Sequence, residues 1–540
     1  MNRKAYLSIL LALVFMAFAF LTGCSSGTSA RPGTTYVFYL SGSEAINEGP
    51  NFYTVSGAVT IDSAGNVTGG EEDYNDAFGL TDAPTPILAA SSALTVDATS
   101  GQGTLTLTVG DTNLGVAGVE TLAVQFVNAN HALITQFDSS ATSSGSLDVQ
   151  SATSAPGNFA FSMLGIDSDD DPVGIGGVVT VGSGSITGVY DVNDAGNVLL
   201  DQTLTTGTVT TTDAFGRGTI TGTQLAGQLA YYVVGPEAVR FISDDSGSAG
   251  IGSAYGQGTG TFSAASIGSS VFAISGGQNY GYVYGAAGSF ATDGVSAVTS
   301  GIGDVDEEGD VSAGGSVTGT YALAGNGYGN VTITSEELLD VSLLGVYATD
   351  PALNLNDPNN TSGGGGALIV DLDSLLAGGT GVLTPQTDTS PADFTGSASG
   401  YAFGAQGIPA GILEYDFVGQ GAFTEGALAG TGLLNDVFDN FGTGTPDTGV
   451  TFAGAPVPDD SEATTGRYTM FDENFFVITV VPDTPLDFDV VVYQASGTQA
   501  YWLNEDEDSI FLGPLEQQGT LTGIPAVQKA MAKSPQAQKR

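Results

Sequence analysis

Apolar and polar residues alternate along many short segments of this 540-residue chain. Leu105, Leu107 and Val109 are separated by threonines, and Val331 and Ile333 follow the same pattern. A period of two is that of a β-strand with one face buried and the other in water. Helical periodicity is almost absent after residue 30, and turn signals rich in glycine and asparagine follow the strands at short intervals. The pattern therefore predicts an all-β protein.

The same order of features occurs four times along the chain, which indicates four copies of one module. Each copy opens with an aromatic or apolar pair, continues with a glycine-led strand and an acidic corner, and closes with a glycine and then a glutamine. The opening pairs are Tyr36/Phe38, Phe159/Phe161, Val271/Ala273 beside Phe272, and Tyr401/Phe403; the glycines are Gly57, Gly177, Gly288 and Gly421; the corners begin at Asp73, Asp191, Asp304 and Asn435; the closing glutamines are Gln150, Gln257, Gln386 and Gln518.

The first copy contains about eight strand-like runs joined by short connections, which suits an antiparallel meander. Such a meander can close into a small barrel or fold over as a sandwich, and the barrel is favoured because the last strand can then return beside the first. We expect each module to bury its own core, so that the four behave as beads with modest interfaces. The predicted modules are 34–152, 153–262, 263–390 and 391–520, after a linker at 24–33 and before a basic flexible tail at 521–540.

The N-terminus has the three parts of a secretion signal. Arg3 and Lys4 precede a stretch that is almost wholly apolar from residue 7 to residue 21, followed by Leu21-Thr22-Gly23-Cys24. This last segment resembles the lipobox of bacterial lipoproteins. The resemblance implies that residues 1–23 are a signal peptide forming a helix, that Cys24 is lipid-modified with palmitate among its acyl chains, and that the mature chain is anchored to a membrane. Ser25 and Ser26 then favour the outer membrane, facing the periplasm or the surface.

Composition narrows the environment and the partners. The formal charge is −48, and the only lysine or arginine residues between Cys24 and Gln528 are Arg31, Arg217, Arg240 and Arg467. Such a surface repels phosphate backbones, so nucleic acid is excluded as a partner. Because Cys24 is the only cysteine, the chain has no internal disulfide.

The residue types needed for nucleophilic catalysis are scarce. The only histidine, His131, follows Asn128-Ala129-Asn130, which indicates an exposed turn between strands. With one histidine and one lipidated cysteine, Ser-His-Asp, Cys-His and zinc chemistry are excluded, and no catalytic residue is assigned. Two carboxylates could still hydrolyse a polysaccharide. The acidic corners at Asp73 and Asp191 are the best placed for such chemistry, although Asx-turn caps explain them as well.

Calcium is the one cofactor that the sequence suggests, because several loops concentrate the hard oxygen donors that this ion prefers. None of these loops matches the EF-hand pattern, and solvated acidic loops are the alternative. The candidate ligands are Asp167, Asp169, Asp171, Asp304, Asp306, Glu308 and Asp310.

Aromatic residues in the strands suggest a sugar-binding face. Trp502 and Tyr501 adjoin the acidic run at 504–508, and Tyr231 lies in another aromatic strand. Such side chains can stack on sugars, although aromatic residues in strands also pack in cores.

The sequence predicts a lipid-anchored protein of the bacterial cell envelope with a non-enzymatic structural, adhesive or ligand-binding role. The candidate partners are the membrane, through the lipid, and a glycan or an envelope protein. The alternative is an extracellular hydrolase of polysaccharides that uses paired carboxylates. The tandem modules resemble those of uncharacterised bacterial surface lipoproteins, a likeness that implies no particular activity.

Overall fold

A computed structural model gives the fold of most of the chain from residue 33 onward. It describes residues 33–46, 49–77, 84–223, 225, 227–277, 284–307, 310–335, 338, 341–374, 378–390, 400–408, 415–424, 427–436, 447–454, 456–457, 462–470, 477–479, 485–487, 489–505 and 510–525. The predicted signal peptide, Cys24 and most of the predicted linker and tail lie outside these residues.

The first sheet has nine antiparallel strands in the order β4-β3-β2-β1-β9-β8-β7-β6-β5. Isolated bridges from Asn66 to Ala93 and from Ile87 to Val109 bring its two outer regions together. The sheet therefore curls round its own core, and a short 3-10 turn, Ala89–Ser91, lies between β4 and β5. The strands are β1 Thr34–Ile46, β2 Gly49–Ile61, β3 Val67–Asn75, β4 Thr85–Ile87, β5 Ala93–Val96, β6 Gln102–Thr108, β7 Val119–Asn128, β8 His131–Gln136 and β9 Ala141–Val149.

The second sheet is a closed barrel of eight antiparallel strands in sequence order. Its last strand returns beside its first, so that Phe159 lies opposite Gly256. The strands are β10 Gly157–Ile166, β11 Pro172–Val181, β12 Ser185–Asp194, β13 Asn197–Val209, β14 Arg217–Thr221, β15 Gln228–Gly235, β16 Ala238–Ser243 and β17 Ala249–Gly256.

The third sheet has nine antiparallel strands, and an additional pairing between β19 and β20 closes eight of them into a ring. The ninth, β21, extends the hairpin that it forms with β20. A 3-10 turn, Ala264–Ser266, precedes the sheet. The strands are β18 Ser270–Gly276, β19 Tyr284–Thr292, β20 Ala297–Glu307, β21 Asp310–Ser316, β22 Thr318–Leu323, β23 Tyr328–Thr334, β24 Leu343–Ala348, β25 Ala367–Asp371 and β26 Gly379–Pro385.

The fourth sheet has eleven strands in the order β31-β32-β35-β36-β37-β27-β28-β29-β30-β33-β34. A single turn of α-helix, α1 Glu462–Thr465, lies between β31 and β32. The strands are β27 Gly400–Ile408, β28 Tyr415–Thr424, β29 Ala427–Asp436, β30 Asp447–Gly454, β31 Pro456–Val457, β32 Arg467–Met470, β33 Val477–Thr479, β34 Pro485–Asp487, β35 Val490–Ser496, β36 Gln499–Asn504 and β37 Ile510–Gln517.

The predicted fold class is confirmed: the chain is all-β, with four tandem antiparallel sheets, and in each sheet the last strand pairs with the first. We call the four sheets, each with the residues that follow it up to the next sheet, the first to fourth modules. Within the described ranges, no helix has the length and the apolar character needed to cross a membrane.

One phenylalanine holds the same place in the opening strand of every module. Because successive side chains of a strand point to opposite faces, this register decides which opening residues face inward. Two of the predicted repeat positions are therefore wrong: the third module uses Phe272 rather than Val271 and Ala273, and the equivalent glycine of the fourth is Gly419 rather than Gly421. The pairs are Phe38 opposite Gly57, Phe161 opposite Gly177, Phe272 opposite Gly288 and Phe403 opposite Gly419.

Each closing glutamine reaches out of its own module and donates its side-chain amide to two backbone carbonyls of another. We call this contact the glutamine clasp. Gln150, Gln257 and Gln386 each bind the module that follows their own in sequence. Gln518, in the fourth module, binds the first module. The donor–acceptor distances are Gln150 to Phe215 2.6 Å and Val233 2.8 Å, Gln257 to Asn326 2.9 Å and Ala348 2.9 Å, Gln386 to Thr465 2.7 Å and Gln494 2.8 Å, and Gln518 to Ser100 2.7 Å and Phe126 2.9 Å.

A glycine with positive φ follows the first acceptor carbonyl in every clasp. These four positions require glycine for two reasons. Their backbone is left-handed, a conformation that residues with a Cβ atom rarely adopt, and a Cβ atom would also lie too close to the amide nitrogen of the glutamine. The φ angles and the distances from the glutamine nitrogen to an added Cβ are Gly101 +75° and 3.0 Å, Gly216 +80° and 2.5 Å, Gly327 +80° and 2.5 Å, and Gly466 +71° and 2.9 Å.

The clasps join the four modules into a closed ring, and the described residues from Gly33 onward belong to one compact unit. Apolar contacts accompany the clasps: Val127 and Leu133 of the first module pack with Ala402 and Val418 of the fourth. The expectation of four beads with modest interfaces is therefore wrong. Strand periodicity identifies a buried face, but it does not distinguish a face buried inside a module from one buried between modules.

The clasp can be tested at Gly216. Gly216→Ala would place a Cβ 2.5 Å from the Gln150 amide nitrogen and should displace both hydrogen bonds. Each buried hydrogen bond contributes about 1 kcal/mol, so we expect a loss of about 2 kcal/mol beyond the backbone strain, measured by thermal or urea unfolding.

Gly294→Ala is the matched control for this substitution. Gly294 has a similar φ of +73° and nothing within 4 Å of an added Cβ. Its substitution therefore introduces the backbone strain without a steric clash. Equal losses of stability for the two variants would contradict the clasp.

Candidate functional site

The second module contains a cavity of about 520 Å³ inside its closed barrel. Strands β10, β11, β15 and β16 supply most of the wall, and their inward residues are large and apolar. The ring of Phe161 meets that of Phe241 edge to face, with centroids 6.2 Å apart. The apolar lining includes Phe159, Phe161, Met163, Ile175, Val179, Ile186, Leu229, Tyr231, Val233 and Phe241.

The fourth module shows how such an interior can be filled instead. Trp502 lies between Phe403, Phe417 and Phe511, with ring centroids 5.2 to 5.4 Å apart. Its indole N–H donates to the carbonyl of Gly404 at 2.9 Å. Aromatic side chains close that interior by edge-to-face packing, whereas the second module has the space unfilled.

The segment after each clasp glutamine explains where the cavity opens. After Gln518, Leu521 and Ile524 pack on the core of the first module, and after Gln257, Ile267 belongs to the core of the third. After Gln150, the apolar residues that pack on the core of the second module are two partly buried alanines, Ala152 and Ala155. Alanine is too short to fill the space, so Ser154, Ala155 and Pro156 line the mouth of a cavity instead of closing it.

The contacts of Leu521 and Ile524 also correct the predicted flexible tail. The start of that segment is held against the first module, and only residues 526–540 lie outside the described part of the chain.

The rim of the cavity is polar but uncharged. Of the lining residues, Ser154, Ser183, Thr210 and Thr211 are exposed and Thr212 is half-buried, which places all five at the open end. At the same end, the hydroxyl of Tyr231 donates to the Thr210 carbonyl at 2.8 Å, and burial raises the pKa of this phenol. The site therefore consists of an apolar interior with a ring of hydroxyl groups at its mouth.

The acidic corners lie between modules. Arg217 of the second module binds both oxygens of Asp73 at 2.7 Å, and Tyr232 donates to the same carboxylate at 2.7 Å. Asp191 accepts hydrogen bonds from two hydroxyl groups of the third module, that of Tyr328 at 2.6 Å and that of Tyr347 at 2.8 Å. Asp73 and Asp191 themselves therefore bridge modules and are not placed for hydrolysis.

The Asx-turn prediction is confirmed at the corner asparagines, because Asn75 accepts from the Ala77 N–H at 2.8 Å and Asn193 from the Gly196 N–H at 2.8 Å. The side chains of the fourth corner, Asn435 and Asp436, lie outside those described.

The third corner overturns part of the calcium prediction. Arg467 of the fourth module binds Asp304 at 2.7 and 2.8 Å, and the hydroxyl of Tyr493 also donates to it. A guanidinium thus takes the carboxylate oxygens that a calcium ion would need. Asp306 is buried beside this junction, Asp310 is exposed, and Glu308 lies outside the described residues.

The loop at Asp167 holds its carboxylate with backbone groups. The N–H groups of Asp169 and Asp171 donate to Asp167 at 2.8 and 3.0 Å. Among the described residues, no group of three or more His, Cys, Asp or Glu side chains is arranged to hold a metal ion. Calcium binding at this loop stays a prediction.

Trp502 and Tyr501 do not form a ligand platform. Trp502 is fully buried, and the hydroxyl of Tyr501 pairs with that of Thr384 at 2.7 Å, across the junction with the third module. A buried indole cannot stack on a sugar in solvent, which contradicts the predicted role. Tyr231, in contrast, lines the cavity of the second module.

His131 is buried at the centre of the ring, so its assignment to an exposed turn is wrong. Its Nδ1 lies 2.7 Å from Asp148, and its Nε2 lies 3.3 Å from Glu516 of the fourth module. Arg240 of the second module binds Asp148 at 3.1 Å and stacks over the ring of Tyr39, 4.3 Å from its centroid. Four ionisable side chains from three modules thus meet in one buried cluster.

The positions of these charges follow from the repeat. Asp148 and Glu516 each precede a clasp glutamine by two residues and so lie on equivalent faces of β9 and β37. An acidic residue two places before the repeated glutamine was the available signal, but nothing in the sequence shows that both positions meet the only histidine.

Comparisons with known proteins give little guidance. No family model and no curated protein matches the chain. Similar solved structures include a tryptophan-to-alanine mutant of transferrin binding protein B from Haemophilus parasuis Hp5, with 10% identity, 92% of this chain and 98% of that chain covered, and a TM-score of 0.18. Another is the isotype 1 transferrin binding protein B from serogroup B Neisseria meningitidis, with 10% identity, 89% of this chain and 99% of that chain covered, and a TM-score of 0.17.

A third similar structure is the alcaligin outer membrane receptor FauA from Bordetella pertussis, with 8% identity, 90% of this chain and 76% of that chain covered, and a TM-score of 0.13. At TM-scores this low the likenesses carry no argument about this chain. Its function has to be inferred from its own residues.

The charge cluster at the ring centre predicts a pH dependence. Burial alone would lower the pKa of His131, but the carboxylates of Asp148 and Glu516 raise it well above its ordinary value. A raised folded-state pKa contributes stability that is fully present below the unfolded pKa, about 6.5, and is lost as the pH rises through the folded value. We therefore expect His131→Gln to cost about 3 kcal/mol at pH 6 and less at pH 9, by urea unfolding.

Asn130→Gln, in the exposed neighbouring turn, serves as the control and should change stability little at either pH. A His131→Gln deficit of the same size at pH 6 and pH 9 would show that the imidazole is not charged in the folded protein.

Proposed function

We propose that this chain is a lipid-anchored protein of the bacterial cell envelope that binds a small apolar ligand, without catalysis, inside its second module. The cavity carries this proposal. Its volume of about 520 Å³ lies within the range of about 300–1,000 Å³ that is usual for ligand pockets. Its lining is mainly apolar, with a few polar groups at one end, as in many small-molecule sites.

The apolar lining also favours an apolar ligand. Removing apolar surface from water contributes about 25 cal/mol per Å². A ligand that covers the apolar side chains of this cavity therefore gains by the hydrophobic effect.

The membrane part of the proposal rests on the resemblance of Leu21-Thr22-Gly23-Cys24 to a lipobox. A protein tethered by an acyl chain stays at the membrane surface, where apolar molecules are concentrated. Capture or storage of such a molecule is a role that needs no proton-transferring residue. Glycans and envelope proteins remain predicted partners of the acidic outer surface.

The hydrolase alternative has weaker support. Glu72 and Glu120 form a carboxyl pair in the first module, but both side chains are buried. Burial raises the pKa of Glu72 well above its ordinary value and that of Glu120 to about 7. Glycoside hydrolysis needs two carboxyl groups that flank a substrate bond, and a buried pair does not meet that need.

Closing the mouth of the cavity should abolish binding. Ala155→Leu adds to the second module the kind of side chain that Leu521 supplies to the first. We expect the neutral fluorescent probe N-phenyl-1-naphthylamine to bind the wild-type protein and to bind this variant at least about tenfold more weakly, a loss of about 1.4 kcal/mol, in a fluorescence titration.

Ala214→Leu is the matched control, because Ala214 is exposed on the same module and does not line the cavity. Unchanged probe affinity in Ala155→Leu, or no binding to the wild type, would contradict the proposed site.

Lipid attachment is tested separately. Expressed in a bacterial host and labelled with radioactive palmitate, the wild-type chain should become radioactive and fractionate with membranes, whereas Cys24→Ser should remain unlabelled. Because Cys24 is the only cysteine, persistent labelling of the variant would contradict thioether attachment.

A further inference from the structure

The charge of the cavity lining limits which apolar ligands can enter, provided that the proposed function holds. Among the described residues that line the cavity, none is Asp, Glu, Lys, Arg or His. Buried charges are costly unless they are paired. An ionised group drawn into this site would therefore lose its hydration without gaining a partner.

The arginines of the second module cannot supply the missing partner. Arg217 and Arg240 are the only basic residues between 153 and 262. Arg217 is held by Asp73 at 2.7 Å, and Arg240 by Asp148 at 3.1 Å, both across module junctions. The chain as a whole has a formal charge of −48, so its field also repels an anionic ligand.

A cationic head group would also lack a partner inside the cavity, because no carboxylate lines the wall. The polar groups that are present are hydroxyls, at Ser154, Ser183, Thr210, Thr211 and Thr212, and they are confined to the mouth. Hydroxyl groups both donate and accept hydrogen bonds. They suit one uncharged polar group, such as an alcohol or an ester, at the end of an apolar body.

The volume indicates the size of that body. A cavity of about 520 Å³ lies in the lower half of the range of about 300–1,000 Å³ that is usual for ligand pockets. This size suits a body no larger than a single long hydrocarbon chain.

We infer that the second module binds an uncharged single-chain lipid, of the long-chain alcohol or monoacylglycerol class, with its chain inside the barrel and its hydroxyl group among the hydroxyls of the rim. Palmitate and other fatty-acid anions bind more weakly because their carboxylate finds no cation.

The test compares three head groups on one chain length. The mature chain with Cys24→Ser is loaded with N-phenyl-1-naphthylamine, and hexadecanol, palmitate and hexadecyltrimethylammonium are each added below their aggregation concentrations. We expect hexadecanol to displace the probe at about tenfold lower concentration than either ion, corresponding to about 1.4 kcal/mol.

Equal or stronger displacement by palmitate would overturn this inference while leaving the proposed function intact, and so would failure of all three to displace a bound probe. Failure of the probe to bind at all would instead contradict the proposed function.

A rim substitution tests the orientation of the ligand. Thr211 is exposed at the mouth, so Thr211→Lys should be tolerated and should supply the missing cation. We expect it to lower the concentration of palmitate needed for displacement severalfold while that of hexadecanol changes little, and Thr211→Ser should behave as the wild type. No gain for palmitate in Thr211→Lys would show that the head group does not lie at this rim.

Discussion

The side chain of one repeated glutamine is the contact on which the assembly of this protein depends. A carboxamide nitrogen carries two hydrogens, and in every clasp each hydrogen is taken by a backbone carbonyl of another module. The acceptors come from a glycine turn and from the strand beside it, so the glutamine ties two parts of the receiving module together. A module that donates on one side and accepts on the other makes head-to-tail contacts, and such contacts form a ring when the rotation closes. Here the clasp from Gln518 to Ser100 and Phe126 closes it.

The closed ring has consequences at its centre and at the module interiors. At the centre, Asp148, His131, Arg240 and Glu516 come from three modules, and the buried charges are paired only when those modules meet. At the interiors, the segment that leaves each clasp lies against the receiving module. Leucine and isoleucine there fill the first module, and alanine leaves the second open. The cavity is thus a local variation on a contact that all four modules share.

Much of the fold could be predicted from the sequence. The alternation at Leu105 and Leu107 and the recurrence of the closing glutamine were enough to predict four antiparallel meanders, because strand period and repeats are local properties of the sequence. The partners of Gln150 and Asp73 could not be predicted, because the sequence pattern around a side chain does not identify the residues that it contacts in another module. His131 was misplaced for the same reason, since a turn-like context does not show that another module covers it. Trp502 was misplaced because an aromatic residue in a strand can face the core of its own module as well as solvent.

The cavity was also beyond the sequence prediction, although a signal existed. The residues after Gln150 are Ser-Ala-Thr-Ser-Ala-Pro, whereas Leu521 and Ile524 follow Gln518. Small residues at one copy of a repeated segment mark the place where packing is missing, but their meaning depends on knowing that the segment lies over the next module.

The closed ring is tested most directly by a disulfide between its ends. A Cβ added to Gly519 would lie 3.4 Å from the Cβ of Asn128, close to the separation of about 3.5–4.5 Å found in disulfides. In the mature chain with Cys24→Ser, the double variant Asn128→Cys/Gly519→Cys should oxidise to a covalent loop that migrates faster on a non-reducing gel, and either single variant should not. Two thiols that stay free under oxidising conditions in the folded double variant would contradict the contact between the fourth and first modules, and with it the ring.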